Sequence, residues 1–190
     1  MQKILLLSSL LTITACSQSV TDYAEQKPVL TLNNFFQGEL TAWGLIQDWQ
    51  GKQSQRFTAQ LCGHWQGNHG DLYELFQFSD GRTDSRHWRL VQAADGKVTG
   101  TAGDVIGHAT GQLAGNSLYW QYTLRIPYTD DTIDVAVKDW MYLIDNKNVI
   151  NRSKLKKYGI SVAELTLFIQ QQDINADCSA IKQQIAAQSK

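Results

Sequence analysis

Proline is scarce, with 2 in 190 residues, and 43% of the chain is hydrophobic, so the composition is that of a folded domain rather than a disordered or low-complexity one. Charge of one sign is missing too. Lys and Arg number 17 against 18 Asp and Glu, spread along the chain, which leaves nothing to attract nucleic acid. Long apolar runs are absent: Ile4 to Ile13, softened by Ser8, Ser9 and Thr12, falls short of the roughly 20 residues that span a bilayer. The sequence holds no H-E-x-x-H, no paired C-x-x-C, no G-x-S-x-G, no G-x-G-x-x-G and no P-loop. His64, His69, His87 and His108 follow no metal spacing. Neither a metal nor a cofactor nor a nucleophile is therefore expected.

What is present begins with address. Lys3 precedes the apolar run, and Ile13-Thr14-Ala15-Cys16 closes it, so residues 1–15 read as an export signal to be removed. A branched aliphatic, two small residues and a Cys resemble the lipobox of bacterial lipoproteins. That resemblance implies a diacylglycerol thioether on Cys16 and an acylated new amino terminus, hence a membrane partner reached through lipid. Ser17 stands where Asp often signals retention in the inner membrane, which favours the outer membrane, facing the periplasm. Residues 16–28, polar and without apolar period, read as a lipidated tether.

Residues 29–190 form one domain by length. From Thr41 short β-rich runs alternate with turn signals. Between Arg56 and Trp65, Phe57, Ala59, Leu61 and Trp65 lie on one face, and Arg56, Thr58, Gln60, Cys62 and His64 on the other. Turns at Gln66-Gly67-Asn68, Ser79-Asp80-Gly81 and Asp95-Gly96 separate runs over 72–78 and 83–91 from a glycine-rich stretch over 97–113. Glycine inside strands marks bulges, bends or close backbone approach, as closed sheets require. Alternation resumes over 118–126, breaks at Pro127, and continues over 133–137, 140–144, 149–153 and 165–169. Nine or ten antiparallel strands are expected, in the range where sheets close.

At the end the period changes. Ile174, Cys178, Ile181 and Ile185 make an apolar stripe that predicts a helix over about 174–188, packed outside the sheet. Cys62, on the outward face of its strand, and Cys178, in that stripe, are either stapled by a disulfide or remain two separate thiols.

Charged residues among strand aromatics are the chemical candidates: Glu74 between Leu72 and Phe76, Arg86 beside Trp88, Asp104 before Val105, and Asp139 before Trp140. Glu74 and Arg86 share faces with apolar residues on neighbouring strands, and buried charge needs a partner. They read either as a structural ion pair or as a polar anchor for a ligand headgroup in an apolar pocket.

Ordered motifs carry a further resemblance: Gly38-Glu39-Leu40-Thr41-Ala42-Trp43-Gly44, Arg86-His87-Trp88, Gly103-Asp104-Val105-Ile106-Gly107-His108-Ala109, Asp139-Trp140-Met141-Tyr142-Leu143, Asn151-Arg152-Ser153 and Lys157-Tyr158-Gly159. From about Tyr23 to Ile169 the chain resembles the bacterial lipoprotein family catalogued as domain of unknown function 3833. The resemblance implies no catalytic residues. It adds Asn151 and Arg152 to the candidate ligand-binding positions Glu74, Arg86, Trp88, Asp104, Asp139 and Trp140. The expected fold is an antiparallel lipocalin- or calycin-like β-barrel with a C-terminal helix, a β-sandwich being the alternative. The expected function is binding or carrying an acyl-chain ligand at the envelope. The alternatives are an enzyme acting on a modified lipid and a structural lipoprotein without a small ligand.

Overall fold

The computed structural model describes residues 17–128 and 130–188. Ten strands run β1 (Gly38–Asp48), β2 (Gln53–Gln66), β3 (His69–Phe78), β4 (Thr83–Gln92), β5 (Lys97–Thr101), β6 (Val105–Ala114), β7 (Ser117–Tyr128), β8 (Asp131–Leu143), β9 (Asn148–Lys157) and β10 (Ile160–Asp173). Each pairs antiparallel with the next, and β10 returns to pair with β1, so the sheet is a closed, lipocalin-like barrel rather than a sandwich. The closing register sets Ala42 against Ile169 and Trp43 against Phe168. Because side chains alternate across a strand, closure sends one parity inward: Leu40, Ala42, Phe57, Ala59, Leu61, Leu72, Trp88, Leu90 and Trp120 join one buried core.

One end is plugged by the chain entering the barrel. Leu30, Leu32, Phe35 and Phe36, around the single turn of helix α1 (Leu32–Phe35), are all buried in that core. The plug is held by polar contacts from the strand ends. Leu30 N–H donates to the Gly115 carbonyl, Leu32 N–H to Gln92 Oε1, and Trp65 Nε1 to the Phe36 carbonyl. At Gly63 the Phe36 carbonyl occupies the space of a Cβ, so only glycine admits the plug. The turns after β1 and β9, at the other end, bear exposed Trp49 and Tyr158, and Ile160 at the start of β10 is exposed beside them.

Several sequence boundaries move. The glycine-rich stretch over 97–113 is two strands, broken at Ala102–Gly103–Asp104. Gly107, with φ +69°, sits in the register shift of β6 between Ile106 and Thr110, the bulge its spacing suggested. Runs 133–137 and 140–144 fuse into β8, and Pro127 stays within β7 near its end. The segment read as a tether departs from that reading from Val20 onward. A 3₁₀ turn, Val20–Tyr23, is capped reciprocally by Ser19 and Asp22, and Tyr23 packs its ring on Trp140 and Tyr142 of β8, at 5.9 and 5.6 Å. The export signal and Cys16 lie outside the described residues.

Helix α2 (Ser179–Gln188) starts later than its stripe suggested. Asp177 Oδ1 accepts from both the backbone N–H and the hydroxyl of Ser179, so the chain before it is not helical, and Ile174 is half-exposed. Cys62 and Cys178 are joined by a disulfide, and with Ile181 they form a small buried cluster against which Ile185 and Tyr73 and Leu75 of β3 pack. The bond spans 116 residues, so in the chain-entropy model it contributes about 4–5 kcal/mol. The double variant Cys62→Ser/Cys178→Ser is expected to lose most of that in urea denaturation while keeping its β-sheet circular dichroism.

Candidate functional site

The barrel interior is not filled. Trp88, Trp120 and Tyr122 interlock on one side, with Trp88 edge-on to Trp120 and Tyr122 at 5.8 and 5.4 Å. Beside them remains a cavity of about 100 Å³, walled by Phe57, Phe76, Met141, Leu165 and Leu167 and floored by Leu32 and Phe36 of the plug. Apolar walls with a few convergent polar groups are the usual composition of a small-molecule site.

Two polar groups meet in this interior. The first follows from register: Glu74 of β3 and Arg86 of β4 are directly opposed, and both point inward. The Arg86 guanidinium does not bond Glu74 closely, its Nη1 lying 3.6 Å from Oε2. Instead it forks onto Asp104, which the turn between β5 and β6 swings over it. Arg86 Nε donates to both Asp104 oxygens at 3.0 Å, and Nη2 donates to Oδ2 at 2.7 Å. Arg86 also lies over the Phe76 and Trp88 rings at 5.6 and 5.8 Å. Glu74 Oε2 is thereby buried without a hydrogen-bond partner.

The second group is Asp139 of β8. Its Oδ1 accepts from Asn151 Nδ2 and from Ser153 Oγ, both on β9, and Asn151 Nδ2 also reaches the Trp140 carbonyl. Asp139, Asn151 and Ser153 are all buried.

Burial governs the ionisation of both groups. Desolvation pushes the Glu74 carboxyl from 4.5 up to about 7, with Asp104 and Asp139 adding to the rise, while Arg86 and the Trp88 side chain oppose it. Desolvation likewise lifts Asp139 from 3.8 to about 6 against the bonds from Asn151 and Ser153. Burial works against the Arg86 charge, yet Glu74 and Asp104 together hold its pKa above the ordinary value. The Tyr122 phenol is raised by burial first and by Asp139 next.

Of the candidate residues, Glu74, Arg86, Trp88, Asp139 and Asn151 line the cavity, and Asp104 joins them through Arg86. Trp140 and Arg152 do not. Neighbours along a strand point to opposite faces, so inward Asp139 and Asn151 put Trp140 and Arg152 outside. There Trp140 stacks with Tyr142 and packs at a tilt on Tyr119, and Arg152 pairs with Glu164. His87 is outward as well, on Asp71 at 2.6 Å. Sequence reasoning missed Tyr122 and Ser153. Tyr122 already belonged to the alternating set Leu118, Trp120 and Leu124, and Ser153 shares parity with Asn151.

The profile of a protein family of unknown function, DUF3833, matches residues 10–171. The chain belongs to the DUF3833 family. No curated protein matches it in sequence. Among solved structures, this DUF3833 chain is similar to a protein of unknown function of the DUF3598 family from Nostoc punctiforme, at 11% identity and a TM-score of 0.53 over 77% of this chain. It spans about half, 51%, of that protein's length. It is similar to Rv2717c of M. tuberculosis at 12% identity and a TM-score of 0.53, over 73% of this chain and 93% of the other. The S-type phycobiliprotein lyase CPES of Guillardia theta follows at 5% identity and 0.51, over 72% and 89%. These likenesses are of fold.

The raised carboxyls make a prediction for the DUF3833 barrel. A carboxyl with a higher pKa folded than unfolded binds its proton better in the folded state, so stability is greatest at low pH and falls as pH rises. For Glu74 the fall runs from about 4.5 to about 7, and for Asp139 from about 3.8 to about 6. The unfolding free energy from urea titrations is expected to decline across that window, by on the order of 3 kcal/mol for Glu74. Glu74→Gln flattens the decline; an unchanged slope in that variant would show that Glu74 does not cause it.

Proposed function

We propose that this protein is a lipid-anchored lipoprotein of the bacterial envelope, on the outer membrane and facing the periplasm, whose barrel holds or passes an acyl-chain ligand. The observation that carries the binding reading is the unfilled apolar cavity of about 100 Å³, with Glu74 Oε2 buried without a hydrogen-bond partner in the wall of the same interior. An empty space of this kind forfeits contacts, and an apolar chain lying in it would recover them. The anchorage rests on Ile13-Thr14-Ala15-Cys16 in the sequence.

A second reading draws support from the raised carboxyls: an enzyme acting on a modified lipid, with Glu74 or Asp139 as acid or base and Arg86 steadying negative charge. The engagement of Arg86 with Asp104 works against it, because that carboxylate already offsets much of the guanidinium's charge.

The test is native mass spectrometry of the full chain purified gently from envelope membranes. A retained acyl species is expected, as is a lipid-modified Cys16 in the amino-terminal peptide, with Cys16→Ala leaving the membrane fraction. Leu167→Trp, which fills the cavity, is expected to cut ligand retention by about tenfold or more. Full retention in that variant would move the ligand off the barrel interior, and a clean apo mass after exposure to envelope lipids would overturn the carrier reading.

A further inference from the structure

The charge inside the barrel states what head the ligand carries. Among the described residues lining the cavity, Arg86 is the only base, and it faces Glu74 and Asp139 within the cavity and Asp104 at its edge. Its Nε and Nη2 are turned to Asp104, at 2.7–3.0 Å, and Nη1 lies 3.6 Å from Glu74, so two carboxylates already face its charge. A ligand carboxylate or phosphate entering this space would meet two acidic side chains and a guanidinium already neutralised. Like charges brought together in a low dielectric repel strongly, so such a head is excluded rather than welcomed.

What the wall does offer is an acceptor. Glu74 Oε2 is buried with no hydrogen-bond partner. A buried acceptor without a donor is costly, and a ligand that supplies the donor recovers that cost on binding. Asp139 lies across the same cavity, with Asn151 and Ser153 donating to a single oxygen, Oδ1, so further negative potential faces the head.

We infer that the ligand of this barrel is a single-chain amphiphile whose head donates hydrogen bonds to Glu74, an aliphatic amine in its ammonium form above all, rather than a free fatty acid. The inference rests on the carrier reading above and names its ligand class. The acyl or alkyl chain lies along Phe57, Leu165 and Leu167, and the ammonium takes the place of the missing donor at Glu74.

Three probes of equal length separate the possibilities: octylamine, octanol and octanoate, each titrated calorimetrically into the full chain at pH 8. At that pH Glu74, pushed up to about 7, is mostly ionised, and octylamine is still charged. Octylamine is expected to bind one to one, about tenfold tighter than octanol, with octanoate weaker than both. Glu74→Gln is expected to erase the amine's advantage while leaving octanol within about twofold, and Glu25→Gln, an exposed acid near the amino terminus, to change nothing. Octanoate binding as tightly as octylamine overturns the inference and leaves the carrier reading standing. Failure of all three to bind saturably overturns the carrier reading itself. An amine preference that survives Glu74→Gln removes the role of Glu74, and should that variant not fold, the order of the three probes on the unmodified chain decides.

Discussion

Pairing of β10 with β1 is the constraint on which everything else in the molecule rests. An open ten-stranded sheet has two edges and two faces to satisfy, whereas a closed one has an inside and an outside. Once Ala42 opposes Ile169, each strand's parity is committed. The glycine bulge in β6, the α1 plug and the helix stapled over Cys62 are then local solutions to bending the sheet, capping one end and covering one outer patch.

Closure also explains why charge is found inside. Glu74 and Arg86 oppose each other in register on two inward faces, so folding takes both from water together. Their direct contact is loose, and Asp104 supplies the close fork that makes a buried guanidinium tolerable. The residue of that arrangement is a carboxylate oxygen with no donor. A structural ion pair and a ligand anchor were alternatives in the sequence; in the folded barrel Arg86 pairs closely with Asp104 and loosely, at 3.6 Å, with Glu74, whose Oε2 has no hydrogen-bond partner.

Much of the fold was legible because its signals are local. Alternation of period two, turn residues at short spacing and the amphipathic stripe at the end each need only neighbours in sequence, and together they pointed to a barrel of nine or ten strands with an outer helix. Parity alone also contained the exclusion of Trp140 and Arg152, since neither can share a face with Asp139 or Asn151. Less legible were features made by partners far along the chain. The α1 plug depends on Gly63, Gln92 and Gly115, and the docking of Tyr23 depends on rings of β8. Nothing within residues 17–36 announces them.

The sequence by itself determined where most of the strand-forming runs lie, which parity of them is apolar, and that charged residues interrupt that parity at Glu74 and Arg86, because these are properties of single segments. Only the tertiary structure decided that the sheet closes, that Asp104 reaches across to Arg86, that Cys62 meets Cys178, and that the interior keeps a cavity. The reason is physical. Pairing, disulfide geometry and empty volume depend on distances between groups set by the register of all ten strands at once, and no segment carries that register alone.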